Sequence, residues 1–146
     1  MTVVLKSEQI ASQIAAAFPG ADVKADGPAV VVAPDMVNKV CAFLKSAPGL
    51  EFDYLQNLTS TDWMDYFEVV YHLTSLKHNH SMVLKTRCFD RNNAEVASVT
   101  GVWRGADFQE REVYDLMGIK FTGHPNLKRI LLWEGFPGHP LRRDYL

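Results

Sequence analysis

Three segments in the middle of the chain constrain its fold more than any other feature. Phe52 to Thr61, Phe67 to Leu76 and Met82 to Phe89 are rich in β-branched and aromatic residues. Only polar turns at Asp62 to Tyr66 and Lys77 to Ser81 separate them. Connections that short join antiparallel neighbours, so the spacing predicts three strands laid side by side. Such a sheet must bury an apolar face, and the flanking segments offer the cover.

Ser7 reads as the cap of a helix over about 7–18, with Ile10, Ile14 and Ala17 recurring at three and four before Phe18-Pro19-Gly20 stops it. Residues 21–25 and 29–33 flank Asp26-Gly27-Pro28, a turn signal, and predict a hairpin. Asp35 then opens a second helix with Met36, Val37, Val40, Cys41 and Leu44 on one side, closed by Ala47-Pro48-Gly49. After the three strands, 98–103 suits a short helical turn. A firmer helix runs from about Asp107 to Met117 and ends at Gly118. The predicted order is α-β-β-α-β-β-β-α, an α+β two-layer α/β sandwich with about five strands and helices on one face.

At 146 residues the chain suits one domain, and 47% hydrophobic with 22% charged residues is a globular composition. No apolar run approaches the roughly 20 residues of a membrane helix, and the N-terminus shows no secretory signal, so an intracellular chain is expected. Cys41 and Cys88 lie outside any CxxC spacing; two reduced thiols are expected, unable to hold an iron–sulfur cluster alone.

Charge divides the chain in two. Residues 1–117 carry 10 Lys+Arg against 15 Asp+Glu, whereas residues 118–146 carry 5 against 2. Gly118, Gly123, Pro125, Pro137 and Pro140 break the latter into neither helix nor regular strand. The reading is an α+β domain over 1–117 and an extended C-terminal arm over 118–146. His124-Pro125 and His139-Pro140 each fix a bend, and Leu127, Ile130, Leu131, Leu132 and Trp133 are too apolar to be left in water. The arm must lie on something, either its own sheet or a neighbouring subunit. Nucleic acid is a poor partner, because the pI of about 6.2 is low and no aromatics interleave with a basic stripe.

Chemistry is sparse. His78 and His80 offer two metal ligands with no third nearby, so a polar hairpin tip is the better reading. Trp63 and Tyr66 are read as shaping their turn. The densest polar group is Glu110, Arg111, Glu112 and Asp115 on the last helix. Val113, Leu116 and Met117 share one face; Arg111, Glu112 and Asp115 share the opposite one, and Arg111 is spaced to pair with Asp115. That face is solvated, or it is an acid–base site, or it is buried against protein and tied to the arm by Arg129, Arg142 or Arg143.

EREVYDLMGIKFTGHPNLKRIL, followed by GHPLRRDY, resembles the 30-kDa or C subunit of respiratory complex I, NADH:quinone oxidoreductase. The residues that carry the resemblance are Glu110-Arg111-Glu112, Asp115, Leu116-Met117, His124, Lys128 and Ile130-Leu131, with the tail motif over 138–145. It implies a non-catalytic, peripheral-arm subunit of a proton-translocating complex, docked beside the D (49-kDa-type) subunit that forms the quinone cavity. The B subunit and the iron–sulfur subunits are further implied partners. NAD, FMN, iron–sulfur clusters and quinone are then expected in other subunits and no cofactor in this one. Location is expected at the cytoplasmic face of the cell inner membrane, reached only through the complex. Glu110, Arg111, Glu112, Asp115, His124, Pro125 and Arg129 are implied to hold helix and arm together and to face a neighbour. His139, Pro140, Arg142, Arg143, Asp144 and Tyr145 belong to the tail, with Arg142, Arg143 and Tyr145 as the expected anchors. Many relatives continue past the Arg-Asp-Tyr motif, so this ending at Leu146 is read as lacking an extension or a fusion to the D subunit. The alternatives are the equivalent subunit of a complex fed by ferredoxin, a deazaflavin or hydrogen, and a free-standing enzyme using Glu110, Glu112 and His124.

Overall fold

The computed structural model describes residues 2–146. Its elements in chain order are β1 (Val3–Val4), α1 (Ser7–Ala17), β2 (Val23–Asp26), β3 (Ala29–Val32), a 3₁₀ turn (Pro34–Met36), α2 (Val37–Ser46), β4 (Tyr54–Asp62), β5 (Phe67–Ser75), β6 (His80–Cys88), β7 (Glu95–Ala97), α3 (Ala106–Met117) and β8 (Lys120–Thr122). The main sheet runs β2-β3-β6-β5-β4, with β1 continuing the β3 edge of β6. β4, β5 and β6 are antiparallel, as their short connections require. β3 meets β6 in parallel, because α2 and β4–β5 lie between them in sequence.

Alternation along the central strands decides the layers. Phe67, Val69, Tyr71 and Leu73 of β5 and Met82, Leu84 and Cys88 of β6 share one buried face with Ile10, Ile14, Val37, Val40, Leu44, Val113 and Met117 of the helices. This is the predicted α+β sandwich. The opposite face carries an ionic row, with Arg87 donating to Asp26 at 2.6 Å and to Glu68 at 2.9 Å.

Several local expectations are corrected. Three strands of two or three residues, β1, β7 and β8, add to the predicted order; they are too short to show a period of two. Ser7 does not cap α1: its hydroxyl is buried and donates to the Gly27 carbonyl at 2.6 Å, tying helix to hairpin. Asp35 lies within the 3₁₀ turn, and α2 begins two residues later. The turn at 78–80 is not uniformly exposed. His80 is buried, with Nε2 donating to the Leu50 carbonyl at 2.7 Å, while His78 meets Glu51 at 2.9 Å.

Cys41 and Cys88 are free and buried. Burial raises both thiols, that of Cys88 to about 11, so neither is a reactive thiolate at neutral pH.

Candidate functional site

α3 places the charged cluster, and its two sides do different work. It ends at Gly118, whose φ of 75° is the left-handed cap conformation and whose N–H bonds back to the Tyr114 carbonyl at 2.8 Å. Glycine is needed there twice over, since a Cβ would stand 2.6 Å from the side chains of His139 and Arg142.

Glu110 points into the body. One carboxylate oxygen accepts from Ser98 Oγ at 2.6 Å and the other from the Val99 N–H at 2.8 Å, so it fastens the turn after β7. Burial pushes its carboxyl above the usual value, against the downward pull of those two bonds.

Asp115 points the other way and is fully buried, which excludes the solvated reading of its face and matches the reading in which it is tied to the arm by Arg129. Its partner is Arg129, not Arg111. Asp115 Oδ1 accepts from Arg129 Nη1 at 2.9 Å, while Oδ2 accepts three successive backbone N–H groups, of Ile130, Leu131 and Leu132, at 3.2, 2.8 and 2.9 Å. Burial raises this carboxyl, but the three amides and the guanidinium outweigh it and hold it below the ordinary carboxylate value. Arg129 also reaches the Phe136 and Gly138 carbonyls at 3.0 and 2.9 Å. Arg111 donates instead to the Lys128 and Arg129 carbonyls, both at 3.1 Å.

The two His-Pro pairs complete the fastening. Nδ1 of His124 accepts from the Asn126 N–H at 2.9 Å, so Nε2 carries the proton and faces the Asp107 carbonyl at 3.2 Å. Pro125 follows it in the turn. His139 Nδ1 donates to the Asp115 carbonyl at 2.9 Å, and Pro140 leads the turn that Arg142 N–H closes on the His139 carbonyl.

The tail residues expected to grip a neighbour are largely engaged at home. Arg142 Nε donates to the Met117 carbonyl at 2.6 Å, and its guanidinium lies 4.9 Å from the centre of the Phe67 ring. Tyr145 donates its hydroxyl to the Pro137 carbonyl at 3.1 Å. Arg143 keeps an exposed side chain, but its N–H is held by Asp62 at 2.9 Å. Asp144 pairs with Arg91 at 3.1 Å.

Asp62 and Arg91 are the site residues that the sequence did not disclose. The two form a bidentate pair at 2.7 and 2.9 Å, with Arg91 stacked 4.5 Å from the Phe67 ring centre. Asp62 bonds at once to Arg91, to the Met64 N–H in its own turn and to Arg143 N–H in the tail, and these hold its carboxyl far below the usual range. Composition marks Asp62 only as a turn residue; its other partners lie 29 and 81 positions away.

The arm therefore starts inside the body and then wraps it. Ile119 and Phe121 are core residues, and β8 pairs in parallel with β7. Beyond β8 the arm exposes three large apolar side chains: Leu131, Trp133 and Leu141 are about 60% exposed or more. Glu112 is exposed and forms none of these bonds. Among the described residues no three His, Cys, Asp or Glu are grouped to hold a metal ion, and no helix is long and apolar enough to cross a membrane.

The chain is 45% identical over 120 residues to the C 2 subunit of NADH-quinone oxidoreductase from Rhizobium meliloti (strain 1021), covering 80% of this chain and 65% of that one. It thus spans about two thirds of the length of such curated relatives. It is 44% identical over 103 residues to the C/D subunit of NADH-quinone oxidoreductase from Phocaeicola vulgatus, covering 70% of this chain and 20% of that one. A solved trypsin-resistant fragment of Nqo5 superposes with a TM-score of 0.60 at 28% identity, covering 82% of this chain and 98% of that one. The family described as "Respiratory-chain NADH dehydrogenase, 30 Kd subunit" matches residues 30–146, which hold α2, α3, the three long strands and the whole clamped arm; the chain belongs to that family.

Proposed function

We propose that this chain is a non-catalytic subunit of the peripheral arm of a proton-translocating NADH:quinone oxidoreductase, docked beside the D (49-kDa-type) subunit. The observation that carries the reading is the use made of the signature charges. Asp115 and Arg129 close on each other and on the arm backbone, and Glu110 closes on Ser98 and Val99. Groups locked in saturated internal bonds hold a shape and are poorly placed to exchange protons with a substrate. That shape presents Leu131, Trp133 and Leu141 to the outside, which is the anatomy of a protein contact.

The D-type subunit is the favoured neighbour because a relative of this chain occurs joined to such a subunit in one polypeptide. NAD, FMN, iron–sulfur clusters and quinone then belong to other subunits, among them the B subunit and the iron–sulfur subunits. The chain sits at the cytoplasmic face of the inner membrane and reaches the membrane through the complex.

Tagged chain captured from gently solubilised native membranes should bring down a flavin- and iron–sulfur-bearing assembly with NADH:quinone activity. The same assembly without NADH activity would assign another electron donor. Recovery of the chain alone would sink the docking reading.

A further inference from the structure

Resting on that docking reading, we infer that the outer edge of β4, together with Glu112, receives an extended, basic segment of a partner subunit as an added strand. β4 is nine residues long and, among the described residues, pairs with β5 alone, so its other side is an open edge of the main sheet. The Leu58 N–H points out from that edge and is met by Gln109 Oε1 of α3 at 2.6 Å. Backbone direction repeats every second residue, so Ser60 presents its N–H and C=O on the same side. Natural edges of this length are paired, covered or charged.

The edge does not stand in open solvent. It forms one wall of a groove of about 250 Å³ whose other wall is α3 and the arm, with Leu58, Ser60, Gln109, Glu112, Leu116 and Leu141 among its lining. With the Leu58 N–H taken by Gln109, the Leu58 C=O and the Ser60 N–H and C=O remain beside apolar side chains, a pattern that suits a strand and not a helix or a flat surface.

Charge selects the kind of strand. Glu110, Arg111, Asp115, His124 and Arg129 all bond within the chain. Of the charged signature residues, Glu112 and Lys128 keep side chains outside these bonds, and Glu112 is the one on the groove wall, an exposed carboxylate. It calls for Lys or Arg on the incoming strand, and this partner contact accounts for a glutamate that the internal fastening does not use.

The test uses the full chain, tagged, in membranes that assemble the complex. A photo-reactive benzophenone side chain is placed at Ser60, or as a control at Lys24 on β2, the opposite edge strand. Irradiation should join position 60, and not 24, to a co-purifying subunit, through a peptide bearing Lys or Arg. Glu112→Lys should cut recovery of co-purifying subunits about tenfold. Ser60→Pro, which removes one outward N–H, should do the same, while the melting temperature of the purified chain moves by about 2 °C or less. If Ser60→Pro fails to fold, Glu112→Lys carries the test. Full recovery with Glu112→Lys, no cross-link from position 60, or a cross-link to a segment without basic residues overturns the inference and leaves the docking reading standing. Recovery of the chain alone overturns both.

Discussion

The body and the arm of this molecule are held by opposite kinds of force. In the body, alternating side chains on β5 and β6 face three helices, and burial of apolar surface secures the helices and the long strands through many weak contacts. Past β8, the arm has neither helix nor strand. It is secured at a few polar points, chiefly Asp115 with Arg129 and three amides, and Asp62 with Arg91 and the tail. Diffuse burial ties the body into one cooperative unit, whereas point clamps let a few residues govern a segment by themselves. The arm is thus the part a mutation can release by itself.

The largest effect should come from the body. Phe52→Ala empties a fully buried ring site and should cost about 3–5 kcal/mol in urea unfolding, in a single transition that takes the arm with it. A two-step transition would mean that the body is less cooperative than its continuous core implies.

Asp115→Ala should cost about 3 kcal/mol or more, since it leaves Arg129 and three N–H groups without their acceptor. Its signature is local: trypsin should cut at Lys128 and Arg129 long before the body is digested. Equal protection of arm and body would break the distinction between them.

Acid should separate the two regions more gently. Asp62 and Asp115 have depressed carboxyls, so the stability they lend is complete above the ordinary carboxylate value of about 4. It is lost as pH falls through their own lower values. Glu110 is raised, so its penalty grows as pH climbs from about 4.3 toward its folded value and is absent below. Between neutral pH and about 4 the body should tighten slightly while the arm stays closed; below that the arm should open first, as proteolysis by an acid protease would report. Early loss of the body would contradict this order.

The smallest effect belongs to Glu110→Gln, whose amide keeps an acceptor for Val99 and a donor for Ser98. Stability at pH 7 should change by about 1 kcal/mol or less, with a flatter pH dependence above 4. A loss of several kcal/mol would show that the ionised form is needed.

What could be read from the sequence follows the same division. Periodicity located α1, α2, α3 and the three long strands, because apolar burial imposes a period. Gly118 was legible because a left-handed cap demands it. Strands of two or three residues have no period to show, and Ser7 was misassigned because a hydroxyl before a helix serves a distant carbonyl as readily as its own turn. In the site, family likeness marked Asp115 and Arg129, while local spacing allowed an Arg111–Asp115 pair that does not form. Asp62 and Arg91 left no trace, since nothing local records a contact across 29 or 81 positions.

The Asp115 nest has a consequence for the order of events at the ribosome. Its acceptors are complete when α3 is complete, but its donors at 129–132 are made 14 to 17 residues later. The tail residue that closes on Asp62, Arg143, lies 81 positions after it. Until then Asp115 remains hydrated on a finished helix, a soluble face instead of a sticky one. The outer strip of the arm therefore takes shape only after the residues that clamp it have been made.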